Sequence, residues 1–119
     1  MQGDNALEKT NRVNVLFDFY GSLLTEKQQT FLKCYYQDDF SLGEIAGDFE
    51  ISRQAVYEHL KRAEQVLEEY EQKLRLVARH EFVQTGLNRL ELQVADLEPD
   101  VRLSLQQTID ALRGAERDI

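Results

Sequence analysis

One proline, six glycines and one cysteine in 119 residues leave little room for several kinds of protein. With so few turn-formers and charged residues at 30%, the composition describes a helical chain rather than a β-rich one. The lone Cys34 allows no internal disulfide and fits a reducing compartment. Placed in FLKCYY among apolar neighbours, it reads as a small buried thiol. No apolar run approaches the ~20 residues of a membrane span, and MQGDNALEKT lacks the hydrophobic centre of a signal peptide. A cytoplasmic protein with no membrane insertion is therefore expected.

Catalytic and cofactor signatures are missing too. LGEIAG has neither the spacing nor the lysine of a phosphate loop. His59 and His80 accompany no cysteine pair and no HExxH spacing, so no zinc site is indicated, and His59 reads as a partly exposed helix residue. The acidic group Asp38, Asp39, Glu44, Asp48 and Glu50 lacks the order of an EF-hand loop and reads as a solvated face. No catalytic residue, metal or cofactor is expected, and the chain is read as a non-enzyme.

The net charge of -8 is distributed unevenly. Residues 1–37 balance, residues 38–50 carry five acids and no base, residues 51–80 carry one net positive charge, and residues 81–119 carry four net negative charges. The overall field repels a polyanion, so counterion release would drive duplex binding by a lone monomer only weakly.

The apolar spacing predicts five or six helices and no strand. From about Thr10 to Gly21, Val13, Leu16, Phe17 and Tyr20 share a face. Thr25 with Gln28, and Ser41 with Glu44, are capping boxes that open a second and a third helix. Tyr35, Tyr36 and Phe40, at helical spacing beside apolar residues, read as core rings more readily than as a base-stacking platform. Ser52 caps a long fourth helix. Its stripe Val56, Leu60, Ala63, Leu67, Tyr70, Leu74 and Val77 keeps heptad spacing, and the pattern breaks around Gly86 and Asn88. A short helix through LNRLELQVADL and a last one opened by Pro99 and stopped near Gly114 complete the chain.

The segment SLGEIAGDFEISRQAVYEHLKRAEQVLEEY, Ser41 to Tyr70, has the form of a helix-turn-helix. Ala46 is small where the two helices cross, and Ile45, Phe49, Ile51 and Val56 take the inward positions. The tip of the second helix presents Arg53 and Gln54, side chains suited to base edges or phosphates, and Tyr57, Lys61 and Arg62 extend that surface behind the Ser52 cap. Glu50 stands where glycine often takes the left-handed turn, and Glu58 adds an acid to the reading face.

Three runs carry a family resemblance: LFDFY at Leu16–Tyr20, YYQDDFSLGEIA at Tyr35–Ala46 and SRQAVY at Ser52–Tyr57. Over Lys9 to Leu74 the chain resembles the YlxM family of bacterial proteins, small helix-turn-helix proteins similar to region 4 of sigma factors and encoded beside components of the signal recognition particle. The likeness is expected to fade after Arg75. It implies an accessory or regulatory protein of that targeting pathway, with the particle's GTPase subunit and its small RNA as partners.

The expected architecture is an all-α helix-turn-helix bundle without a wing, residues 1–75, followed by a helical extension, residues 76–119. Two modes of action follow. The Ser52–Arg62 helix could contact the particle's RNA or, as the alternative, read DNA as a transcriptional regulator. Alternatively, the acidic surface could dock on the basic GTPase subunit. The surplus apolar face of the C-terminal half points to a homodimer.

Overall fold

The computed structural model describes residues 2–117, and these form six α-helices without a strand. They divide into two compact units, one ending at Arg75 and one beginning at Leu76.

In the first unit, α1 runs Gln2–Tyr20 and buries Val13, Leu16 and Tyr20. It starts well before Thr10, and ion pairs to a later helix flank that residue. Lys9 pairs with Glu64 at 3.2 Å, and Arg12 grips Glu68 through two bonds of 3.1 Å. Exposed pairs of this kind each contribute at most about 1 kcal/mol. A short 3₁₀ turn, Gly21–Leu23, follows. Gly21 eases a close approach there, since a Cβ would press on the Phe17 ring at 3.0 Å.

The Thr25–Gln28 box opens α2, Glu26–Leu32, whose Phe31 and Leu32 are fully buried. The chain then widens into a π-helical turn, Lys33–Gln37, and leaves it through Asp39 at φ 63°. Cys34 is half-buried in this turn; burial first, then Asp38 and Asp48, pushes its thiol pKa up and disfavours the reactive thiolate.

The Ser41–Glu44 box opens α3, Leu42–Phe49, which buries Ile45 and Ala46. Glu50 closes it in the left-handed region at φ 55°, with the Ile51 amide donating back to the Ala46 carbonyl at 3.1 Å. Phe49 remains 41% exposed, yet its ring packs on Phe31 at 4.9 Å. Ser52 caps α4, Arg53–Leu74, by accepting from the Ala55 amide at 3.0 Å.

Helix α4 organises the unit: α1, α2 and α3 all pack on it, against Val56, Leu60, Ala63 and Leu67, which are essentially buried. Further along, the Tyr20 hydroxyl donates to the buried carboxylate of Glu71, and the Tyr20 and Tyr70 rings stack at 5.9 Å. The expected heptad stripe does not stay on one helix. α4 stops at Arg75, left-handed at φ 55°, and Val77 belongs to the next helix.

In the second unit, α5 spans Leu76–Val94 and passes unbroken through Gly86 and Asn88. The expected break there is overturned. A glycine inside a helix costs about 1 kcal/mol relative to alanine, which weakens a helix without ending it. Likewise α6, Pro99–Arg117, starts at the expected proline but runs past Gly114. Leu87, Val94 and Ile109 form the small buried cluster between the two helices, with Val83 against it. Arg113 reinforces the pair through bonds of 2.7 and 3.0 Å to Glu91 and 2.9 Å to Asn88. The Arg113 bonds, with one from Gln106, hold the Glu91 carboxyl down at about 2.

Tyr20→Phe deprives a buried carboxylate of a donor and is expected to cost about 1.5–3 kcal/mol, lowering the urea midpoint at unchanged m-value; a midpoint equal to the parent's contradicts that role. His59 stacks flat on Phe31 at 4.9 Å, and burial, then Lys27 and Arg62, lower its pKa below the ordinary 6.5. Its folded value thus lies below its unfolded one. Its contribution to stability is full above pH 6.5 and is lost as pH falls through the folded value. An NMR titration placing the ring at or above 6.5 contradicts this.

Candidate nucleic-acid and partner interface

The helix-turn-helix fixes where its second helix emerges. Val56, Leu60 and Ala63 face inward and His59 lies against Phe31, which leaves the opposite side of the helix, from Arg53 to Arg62, facing out. The outward residues form two ridges at four-residue spacing: Arg53, Tyr57 and Lys61 on one, Gln54, Glu58 and Arg62 on the other. All six are exposed.

On the first ridge the Lys61 ammonium lies over the Tyr57 ring, 5.6 Å from its centroid. Arg53 leans back over the first turn of α3, where a Cβ at Gly43 would meet its Nε at 3.8 Å. On the second ridge Gln54 donates to Glu58 at 3.4 Å, so an acid occupies the middle of that row. Ser52 stands apart from the other predicted site residues, since its hydroxyl is engaged in capping the Ala55 amide. Arg53, Lys61 and Arg62 take part in no ion pair among the described residues. The tip therefore carries three cations uncompensated by close partners.

The second surface is the acidic segment before and between the helices. Asp38, Asp39, Glu44, Asp48 and Glu50 are all exposed, and none is ion-paired among the described residues. Glu44 alone among their side chains serves a cap, accepting from the Ser41 amide at 3.2 Å. Among the described residues no group of three or more His, Cys, Asp or Glu side chains could hold a metal ion. No described helix is long and apolar enough to cross a membrane.

Three residues assigned to the core by their spacing behave otherwise. Tyr35 and Tyr36 are half-buried and Phe40 is exposed. The wide π turn brings both neighbouring tyrosines to one pocket, which reaches the tip and is also lined by Leu42, Tyr57, Leu60 and Lys61. Nothing in the residue pattern signals a π turn, so this pocket was invisible in the sequence.

The chain resembles proteins known from several bacteria. It is 53% identical over 110 residues to a UPF0122 protein of Exiguobacterium sp. (strain ATCC BAA-1283 / AT1b), covering 92% of this chain and 98% of that protein. It is 48% identical over 106 residues to UPF0122 proteins of Bacillus cereus (strain AH187) and Bacillus anthracis (strain A0248), covering 89% of this chain and 96% of each of them. A family described as "Putative helix-turn-helix protein, YlxM / p13 like" matches residues 7–108. That span extends the likeness well past Arg75, where it was expected to fade, into α6. The chain belongs to this UPF0122 helix-turn-helix family.

Proposed function

We propose that the protein is a cytoplasmic accessory factor of the signal recognition particle pathway that docks on the particle's basic GTPase subunit. The observation that carries this reading is the run of five exposed carboxylates in residues 38–50 with no internal cation to neutralise them. Such a surface associates quickly with a basic partner and weakens in salt. The resemblance to the YlxM family supports the choice of pathway, and the net charge of -8 disfavours solitary binding to a polyanion.

A second reading is favoured by the uncompensated cations at the tip: Arg53, Gln54, Tyr57, Lys61 and Arg62 contact the particle's small RNA. The DNA-binding alternative uses the same helix. It is less favoured because Glu58 sits in the middle of one ridge and Glu50 in the turn beside it.

The triple change Asp38→Asn, Asp39→Asn, Asp48→Asn is expected to weaken GTPase-subunit binding about tenfold at low salt. Arg53→Ala with Lys61→Ala should leave that binding intact and remove any direct binding of RNA or DNA. Calorimetry in which the triple variant binds the subunit as the parent does contradicts the docking surface.

The second unit supports self-association. Phe82 and Leu92 are 81% and 77% exposed, and Leu103, Leu105 and Leu112 are exposed on α6, beside a buried cluster of only three residues. A second copy would cover these faces and make a homodimer. Light scattering should give twice the chain mass at micromolar concentration; a monomer there refutes it.

A further inference from the structure

Beside the tip lies a cavity of about 140 Å³, bounded by Lys9 of α1, Tyr35 and Tyr36 of the π turn, Leu42 of α3, and Tyr57, Leu60, Lys61 and Glu64 of α4. An engineered apolar cavity of ~150 Å³ accepts a benzene ring, so this space suits one six-membered ring rather than a larger ligand. Its walls are aromatic and adjustable only in part. Tyr35 and Tyr36 meet edge to face at 4.9 Å, and the Tyr36 hydroxyl donates to Glu64 at 2.8 Å, which fixes that ring.

The charges at its rim decide which ring. Three tyrosines and a glutamate could form a cage for an organic cation. Here, however, Glu64 is already engaged by Lys9 at 3.2 Å and by Tyr36, and a second ammonium, Lys61, lies across the Tyr57 ring at 5.6 Å. With Lys9 and Glu64 paired to each other, Lys61 leaves one net positive charge at the rim, which disfavours a cation and attracts an anion tethered to the ring. A wider groove of about 380 Å³ between α1 and α4 shares Lys9, Lys61 and Glu64 with the pocket, giving a chain attached to the ring a way out. An aromatic slot with a cationic lip that opens to a groove is how proteins hold splayed-out bases of single strands.

We propose that this pocket takes one unpaired pyrimidine base of a single-stranded nucleic acid, its ring among Tyr35, Tyr36 and Tyr57 and its phosphate at Lys61. The inference rests on the nucleic-acid reading of the tip and gives that reading a specificity: a looped or single strand with an exposed pyrimidine, rather than a duplex groove. Tyr57 and Lys61 then serve both the ridge and the pocket.

The test is a titration of the full chain at low salt with hexameric oligo(U), oligo(dT) and oligo(A), with a blunt RNA duplex, and with tetramethylammonium, followed by tyrosine ring NMR and by affinity. Oligo(U) or oligo(dT) should move the Tyr35, Tyr36 and Tyr57 ring signals and bind about tenfold or more tightly than oligo(A). Preference between the first two distinguishes RNA from DNA as the source. Leu42→Phe, which fills the cavity, and Tyr57→Leu, which removes an exposed wall without touching the core, should each reduce that affinity by about tenfold. Oligo(A) or duplex bound as well as oligo(U), or binding unchanged in both variants, overturns the pocket while leaving the tip as a nucleic-acid surface. Ring shifts with tetramethylammonium but with no oligonucleotide overturn it in favour of a cation cage. No binding of any nucleic acid by the parent protein overturns the pocket and the nucleic-acid reading together.

Discussion

The burial of one stripe of α4 is the constraint on which the first unit depends. Val56, Leu60, Ala63 and Leu67 are the common floor for α1, α2 and α3, and two of those helices are too short to persist alone. Ala63, fully buried, is small enough for neighbouring backbones to approach. The same stripe determines what cannot be buried: once four residues of α4 face in, Arg53, Tyr57 and Lys61 must face out. Fold and exposed tip are thus two consequences of one periodicity.

Four of the six helix starts, those of α2, α3, α4 and α6, were legible in the sequence because they rest on local chemistry. Those of α1 and α5 have no such residue ahead of them and were expected later than Gln2 and Leu76. Thr25–Gln28, Ser41–Glu44, Ser52 and Pro99 each act within one turn of themselves, and each stands where its residues indicated. Helix ends were less legible. Glu50 was identifiable because the helix-turn-helix geometry demands a left-handed residue there, but Arg75 adopts the same conformation with no glycine or proline to announce it. Conversely, Gly86 and Gly114 offered a stop that the chain does not take. A left-handed non-glycine residue costs roughly 1–2 kcal/mol, which only tertiary packing can offset, and packing is not written in the local sequence.

The candidate site was legible to a similar extent. The exposed ridge of α4 follows from its spacing, so Arg53, Gln54, Tyr57, Lys61 and Arg62 were identifiable as surface. The ring pocket was not, because it depends on a π turn and on Glu64 drawing Tyr36 toward α4. By periodicity alone Tyr35 and Tyr36 are core residues; the extra residue in the turn moves them to the wall of a cavity.

The electrostatic problem posed by the composition has a spatial answer. An acidic protein can carry a cationic tip if its excess carboxylates are engaged elsewhere, and residues 38–50 hold five of them with no base among them. Docking that segment on a basic protein would neutralise the charge that otherwise repels a nucleic acid from the tip. The most direct measurement is amide chemical-shift mapping of the labelled full chain during titration with the GTPase subunit alone. Docking through the acidic segment should give perturbations concentrated in residues 38–50 that diminish as salt is raised. Perturbations confined to Ser52–Arg62, with residues 38–50 unmoved, would contradict it.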